Sequence, residues 1–179
     1  VSVNHASVLL LPGIGDSGPG HWHSLWEAEQ PGFVRVRQDD WEAPRCADWC
    51  ATLEAAVAAH GEDVVLAAHS LGCLLVAHWA ATTTRRVRGA LIVAQPDPGG
   101  PIFPAEATGF APVPLRPLPF PSIVVASTND PYAGFAFAED CARAWGSRLV
   151  SAGDCGHINY ASGLGAWPPG LALLRELLG

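Results

Sequence analysis

Residues 64–80 read VVLAAHSLGCLLVAHWA: a branched apolar run, then His-Ser-Leu-Gly, then a stretch rich in Leu and Ala. A strand that turns sharply into a helix projects the turn residue from the top of a sheet, and here that residue is Ser70. Ala68, His69, Ser70, Leu71 and Gly72 match GxSxG with alanine at the first glycine. The flanking positions must be small because the turn is tight. A serine at a helix start is also a common N-cap. The pentapeptide therefore carries two readings, a nucleophile or a cap, and the rest of the chain must separate them.

Outward from the turn, short apolar runs at residues 8–11, 33–36, 64–67, 90–94, 123–127 and 148–151 have strand length and β-branched content. Most are continuously apolar, the pattern of parallel strands covered on both faces. Between them Cys46, Trp49, Cys50, Leu53 and Val57 recur at helical spacing, as do Leu171, Leu174 and Leu178. This alternation predicts one α/β domain over residues 1–179, with a mostly parallel, doubly wound sheet of about six strands flanked by helices. Residues 96–121 break the rhythm with nine of the sixteen prolines. Strong strand signals on both sides make this segment a connection rather than a domain boundary. We read it as a short lid with Phe103 and Phe110 as apolar walls.

Composition excludes several classes. The 179 residues carry a formal charge of −7, no lysine and ten scattered arginines, so no basic stripe awaits nucleic acid. No apolar run reaches the roughly 18 residues of a membrane span, and the start lacks a signal-peptide pattern. Five cysteines without paired CxxC spacing read as free thiols in a cytoplasmic protein. No metal site or cofactor is expected. Oligomeric state is not legible.

A serine hydroxyl needs a base, and the base needs an orienting acid. In α/β-hydrolases these follow in the order Ser, acid, His, each in a loop after a strand. SIVVASTNDPY puts Asp130 just past the fifth run, and LVSAGDCGHINY puts His157 past the sixth. Asp154, three residues before His157, is the main rival for the acid, and Asp97 is third. His60 and His78 fall in helical patterns, His5 lies near the start, and His21 and His23 precede the serine; these read as structural or surface residues. His69 adjoins Ser70, but neighbours on a sharp turn point different ways, so it is a poor base. An oxyanion needs two donors. One is the Leu71 N–H at the positive end of a helix. The other is the Ile14 N–H in LLLPGIGDSGPGHWHSLW, where Gly13 lets the backbone approach Ser70. A phosphate cradle is the weaker reading, since no GK[ST] follows.

Taken together, LPGIGDSGPGHWHSLWE, QDDWEAP, AAHSLGCLLVAHWA, VVASTNDPY and GHINYASGLGAWPPG resemble the small α/β-hydrolases typified by retinoblastoma-binding protein 9 and its bacterial relatives. The resemblance covers nearly the whole chain. It implies a serine hydrolase with Ser70, Asp130 and His157 as its triad, activity on small esters and no large cap. The LxCxE segment linked to retinoblastoma binding is missing, so that partner is not carried over. GDCGH departs from the expected pattern at Asp154 and Cys155. The expected function is hydrolysis of small carboxylic esters. The same triad also suits thioesters, amides, peptides or perhydrolysis, and the remaining alternative is a non-catalytic interaction protein on this scaffold.

Overall fold

Strands β1 (Val8–Leu11), β2 (Phe33–Arg35), β3 (Val65–His69), β4 (Gly89–Val93), β5 (Ser122–Ala126) and β6 (Arg148–Ser151) form one sheet in the order β2-β1-β3-β4-β5-β6. Every pairing is parallel. Five helices connect or follow them: α1 (Trp22–Glu29), α2 (Cys46–His60), α3 (Leu71–Ala80), α4 (Phe135–Trp145) and α5 (Pro168–Leu178). The computed structural model describes residues 7–179, so His5 falls outside it. The six-stranded, helix-flanked α/β architecture expected from the sequence is the one observed.

Successive strand side chains face opposite ways. Leu9, Leu11, Leu66, Ala68, Ile92 and Val124 therefore join Trp49, Leu53, Leu74, Trp79 and Trp145 in a core under α2, α3 and α4. Val8, Leu10, Val65, Ala67, Leu91 and Val93 join Trp22, Trp26 and Leu174 in a second core under α1 and α5. Two cores explain why the central strands are apolar without interruption. β6, at one edge of the sheet, departs from that expectation: Arg148 and Ser151 are exposed and Leu149 and Val150 half-buried. β2 ends one residue earlier than expected, at Arg35, whose side chain turns inward.

The chain leaves β1 toward β2, then returns past β1 to β3 on its other side. Loops after β1 and β3 diverge at that reversal, and a crevice opens between them at the carboxyl ends of the strands. Residues 96–121 contain no helix or strand of their own. They are pinned at several points: Thr108 bridges to Arg45, the Phe110 carbonyl accepts a bond from His78 Nε2 at 2.9 Å, and the Pro114 carbonyl accepts one from Trp145 Nε1 at 2.8 Å.

The junction of β3 and α3 depends on one missing methyl. A Cβ on Gly72 would lie 2.2 Å from the carbonyl oxygen of Leu11 at the end of β1. The contact is with backbone in the sheet centre, which has little room to retreat. Gly72→Ala is expected to lower the unfolding free energy by about 3 kcal/mol, read as a fall in urea midpoint. A variant as stable as the parent would contradict this packing.

Candidate active site

Ser70 has φ 55° and ψ −123°, a backbone conformation that costs a residue with a side chain about 1–3 kcal/mol. The surrounding sheet and helix enforce it. Ser70 N–H donates to the Val93 carbonyl at 3.0 Å, and the Ser70 carbonyl accepts from Cys73 N–H at 2.9 Å. Although Ser70 sits at the N-cap position of α3, its hydroxyl makes no capping bond. It lies instead 2.8 Å from His157 Nε2. The cap alternative is therefore not what the side chain does.

His157 Nδ1 faces the Asp130 carboxylate, 3.0 and 2.9 Å from its two oxygens. Since a carboxylate only accepts, Nδ1 carries the proton and Nε2 presents its lone pair to the serine hydroxyl. Both side chains are almost fully buried, and Asp130 is further fixed by the Tyr132 N–H at 2.9 Å. Asp154 is exposed and accepts from Thr128 Oγ1, while Asp97 accepts from Gly99 N–H in its own turn. Neither rival carboxylate meets the imidazole.

The loops after β5 and β6 are laced together. Asn129 Oδ1 accepts from Ser127 Oγ and from Gly156 N–H, and Ser127 Oγ accepts from Cys155 N–H. The histidine loop is also held from below, where Trp22 Nε1 donates to the Ile158 carbonyl at 2.9 Å and His69 Nε2 to the His157 carbonyl at 2.9 Å. Tyr132 covers the imidazole with its ring, 4.3 Å between centroids.

On the opposite wall, a Cβ on Gly13 would lie 2.9 Å from Ser70 Cβ and 3.3 Å from Leu71 N, so only glycine allows this approach. Leu71 opens α3, where a helix has no internal acceptor for its N–H. Gly15 and Asp16 spend their N–H groups on the carbonyls of Trp41 and Gly13, while Ile14 borders the cavity. Arg35 secures this loop. Its guanidinium binds Asp16 Oδ1 at 2.8 Å, Glu27 Oε2 at 2.9 Å, the Ser17 carbonyl at 2.8 Å and Ser24 Oγ at 2.7 Å.

The cavity above Ser70 has a volume of about 190 Å³ and includes Phe103, Pro104, Tyr132 and His21 in its wall. Phe103 is thus a wall, as expected. Phe110 is not: it is buried against Trp49, where the chain fills the core under α2. Sequence reasoning missed Arg35, which hides in an apolar run beside acids 19 and 8 residues away. It also set His21 aside as structural or surface.

Three histidines are buried beneath the cavity. Burial pushes His21 down to about 4, with Arg35 adding to the effect, and pushes His23 and His69 well below the usual range. The unfolded chain takes up these protons near pH 6.5, and the folded chain does not until far lower. Their contribution is complete above pH 6.5; that of His21 is lost as the pH falls toward 4, and those of His23 and His69 go on falling with it. Urea midpoints should therefore drop steeply over that window, with each histidine adding up to about 1.4 kcal/mol per pH unit. A flat profile would contradict the neutral cluster. Arg35→Met, which strands two carboxylates, should cost about 3 kcal/mol at pH 7 by the same assay.

Comparisons with known proteins place the chain in a family. The chain is similar to a YdeN-like hydrolase from Pectobacterium atrosepticum, with 32% identity over 97% of this chain and 91% of that one and a TM-score of 0.85. The ydeN gene product of B. subtilis superposes with a TM-score of 0.77 at 21% identity over 96% and 98% of the two chains. Esterase 2 of Thermogutta terrifontis shares the fold, with a TM-score of 0.68 at 17% identity over 97% of this chain and 82% of that one. No curated protein matches. The family model described as serine hydrolase matches residues 8–176, and the chain belongs to that family.

Proposed function

We propose that the protein hydrolyses small carboxylic esters through an acyl-enzyme on Ser70. The observation that carries this reading is the continuous chain from Ser70 Oγ to His157 Nε2 at 2.8 Å and from Nδ1 to the Asp130 carboxylate at 2.9 Å. As Oγ attacks the ester carbonyl, its proton passes to Nε2. The new imidazolium sits against the buried Asp130 carboxylate, which keeps the ring in one tautomer. The carbonyl oxygen becomes an anion between the N–H groups of Leu71 and Ile14, each such donor being worth about 3–4 kcal/mol of barrier. His157 then hands its proton to the departing alcohol. Water, deprotonated by the same nitrogen, attacks the acyl carbon, and Ser70 leaves with the returned proton.

A cavity of about 190 Å³ is smaller than the roughly 300–1,000 Å³ of pockets for drug-sized ligands. It suits a short acyl or alcohol portion. Residues 96–121, pinned to α2, α3 and α4, act in this reading as a fixed wall more than a moving lid. Among the described residues no helix is long and apolar enough to cross a membrane. The five thiols suit a reducing compartment, the cytoplasm.

A fluorophosphonate probe should label Ser70 in the folded protein and fail to label Ser70→Ala. Asp130→Asn should lower kcat by about 10⁴. Across p-nitrophenyl esters, kcat/KM should be highest for short acyl chains. An unlabelled Ser70, or activity that climbs steadily with long chains, would overturn the reading.

A further inference from the structure

Strands β5 and β6 stop pairing just short of the two residues that must meet. Their last register pair is Ala126 with Ser151. Two further backbone bonds follow, from Ala152 N–H to the Ala126 carbonyl at 2.8 Å and from Thr128 N–H to the Gly153 carbonyl at 2.9 Å. Beyond that point no backbone bond joins the acid loop to the histidine loop among the described residues. Asp130 and His157 both lie past it.

Side chains take over the pairing. Cys155 N–H donates to Ser127 Oγ at 2.9 Å, Thr128 Oγ1 donates to the Asp154 carboxylate, and Gly156 N–H donates to Asn129 Oδ1 at 2.7 Å. Three consecutive residues of one loop thus meet three consecutive residues of the other. The last bond is the one set next to the chemistry. Asn129 precedes the acid and Gly156 precedes the base, so one oxygen joins the neighbours of both. A backbone N–H can only donate, which makes the atom facing Gly156 the amide oxygen. Ser127 Oγ, 1% exposed as a residue, donates to the same oxygen at 2.8 Å and fixes the amide from the buried side. The other bonds on the histidine loop run elsewhere: His69 Nε2 donates to the His157 carbonyl and Trp22 Nε1 to the Ile158 carbonyl. These tie the histidine to β3 and α1, and neither ties it to the acid.

We propose that Asn129 is a positioning residue for the acyl transfer, acting through Gly156 to hold the His157 imidazole against the Asp130 carboxylate with Nε2 aimed at Ser70. The contacts it preserves are those of Nδ1 with the two carboxylate oxygens at 3.0 and 2.9 Å and of Nε2 with Ser70 Oγ at 2.8 Å. Proton transfer requires hydrogen-bond reach, and a misplacement of about 1 Å can cost about 100-fold in rate. Asn129 is itself exposed and makes no bond to the triad side chains, so its side chain can be removed without opening the core. This inference rests on the hydrolase reading and adds to it the contact that sets its geometry.

The test uses two variants of the full chain. Asn129→Ala removes the acceptor, and Asn129→Asp keeps an oxygen in its place. For parent and variants, kcat and KM are measured with p-nitrophenyl acetate on the plateau of each pH profile, beside the rate of fluorophosphonate labelling and the urea midpoint. Acylation and deacylation use the same imidazole, so Asn129→Ala should lower kcat and the labelling rate by about tenfold or more and leave KM within about twofold. Asn129→Asp should recover most of both rates. A merely structural role predicts a lower urea midpoint with kcat per folded molecule unchanged. That result, or parental kcat in Asn129→Ala, or Asn129→Asp as slow as Asn129→Ala, would overturn the assignment and leave the hydrolase reading standing. A parent that neither hydrolyses the ester nor takes the label at Ser70 would overturn both.

Discussion

The close approach of three backbones at the end of the sheet sets everything else. Gly72 lies against the Leu11 carbonyl, and Gly13 lies against Ser70, so β1, the loop after it and the first turn of α3 share a space with no room for side chains. Within that space the Ser70 hydroxyl meets His157 Nε2 at 2.8 Å, and Gly13 packs beside Ser70 Cβ and Leu71 N. A looser junction would relax Ser70 from φ 55° toward an ordinary helix start, where its hydroxyl would cap α3. The reactive geometry and the strain are the same feature, enforced by the parallel pairing of β1, β3 and β4.

The molecule offsets this local cost with tryptophan packing on the α1 and α5 side. Trp22, Trp26 and Trp167 form a cluster in which the Trp26 and Trp167 rings lie nearly parallel, 6.2 Å apart. Two of the indole nitrogens are spent on structure: Trp22 holds the Ile158 carbonyl beside His157, and Trp26 holds the Ala166 carbonyl at 2.6 Å. Large buried rings supply apolar stabilisation, and their single polar handle fixes a loop. The histidine loop contains positive φ values at Gly156 and Ile158, and these two indoles help to hold it where the imidazole reaches the serine.

Much of this was legible in the sequence, for a physical reason. Parallel strands buried on both faces write themselves as unbroken apolar runs, and polar groups in such sheets gather just past the strand ends, where Ser70, Asp130 and His157 stand within hydrogen-bond reach of one another. The edge strand β6 breaks the rule, with Arg148 and Ser151 exposed at its two ends. Phe110 misled because a phenylalanine in a proline-rich connection carries no mark of whether it faces a cavity or a core. Arg35 was invisible since its partners, Asp16 and Glu27, are joined to it only by the folding of α1 back onto β2. Long-range ion pairs have no sequence period. His21 was set aside because it precedes the serine in the chain, and chain order carries no mark that a residue borders the cavity.

The buried histidines show how one residue type is given different tasks by its partners. A backbone carbonyl at Nε2 commits His23 and His69 to donating at that nitrogen, and a helix N–H at Nδ1 commits His21 to accepting there, so all three rings carry their proton on Nε2. Burial keeps all three uncharged. His157 is buried as well, but its neighbours are a carboxylate on one nitrogen and a hydroxyl on the other. In the proposed mechanism the hydroxyl surrenders its proton to this ring, beside rings that burial keeps neutral. Keeping the adjacent rings neutral matters to that cycle, since a second positive charge beside His157 would oppose its protonation. The histidine cluster thus contributes to the site electrostatically through what it does not carry.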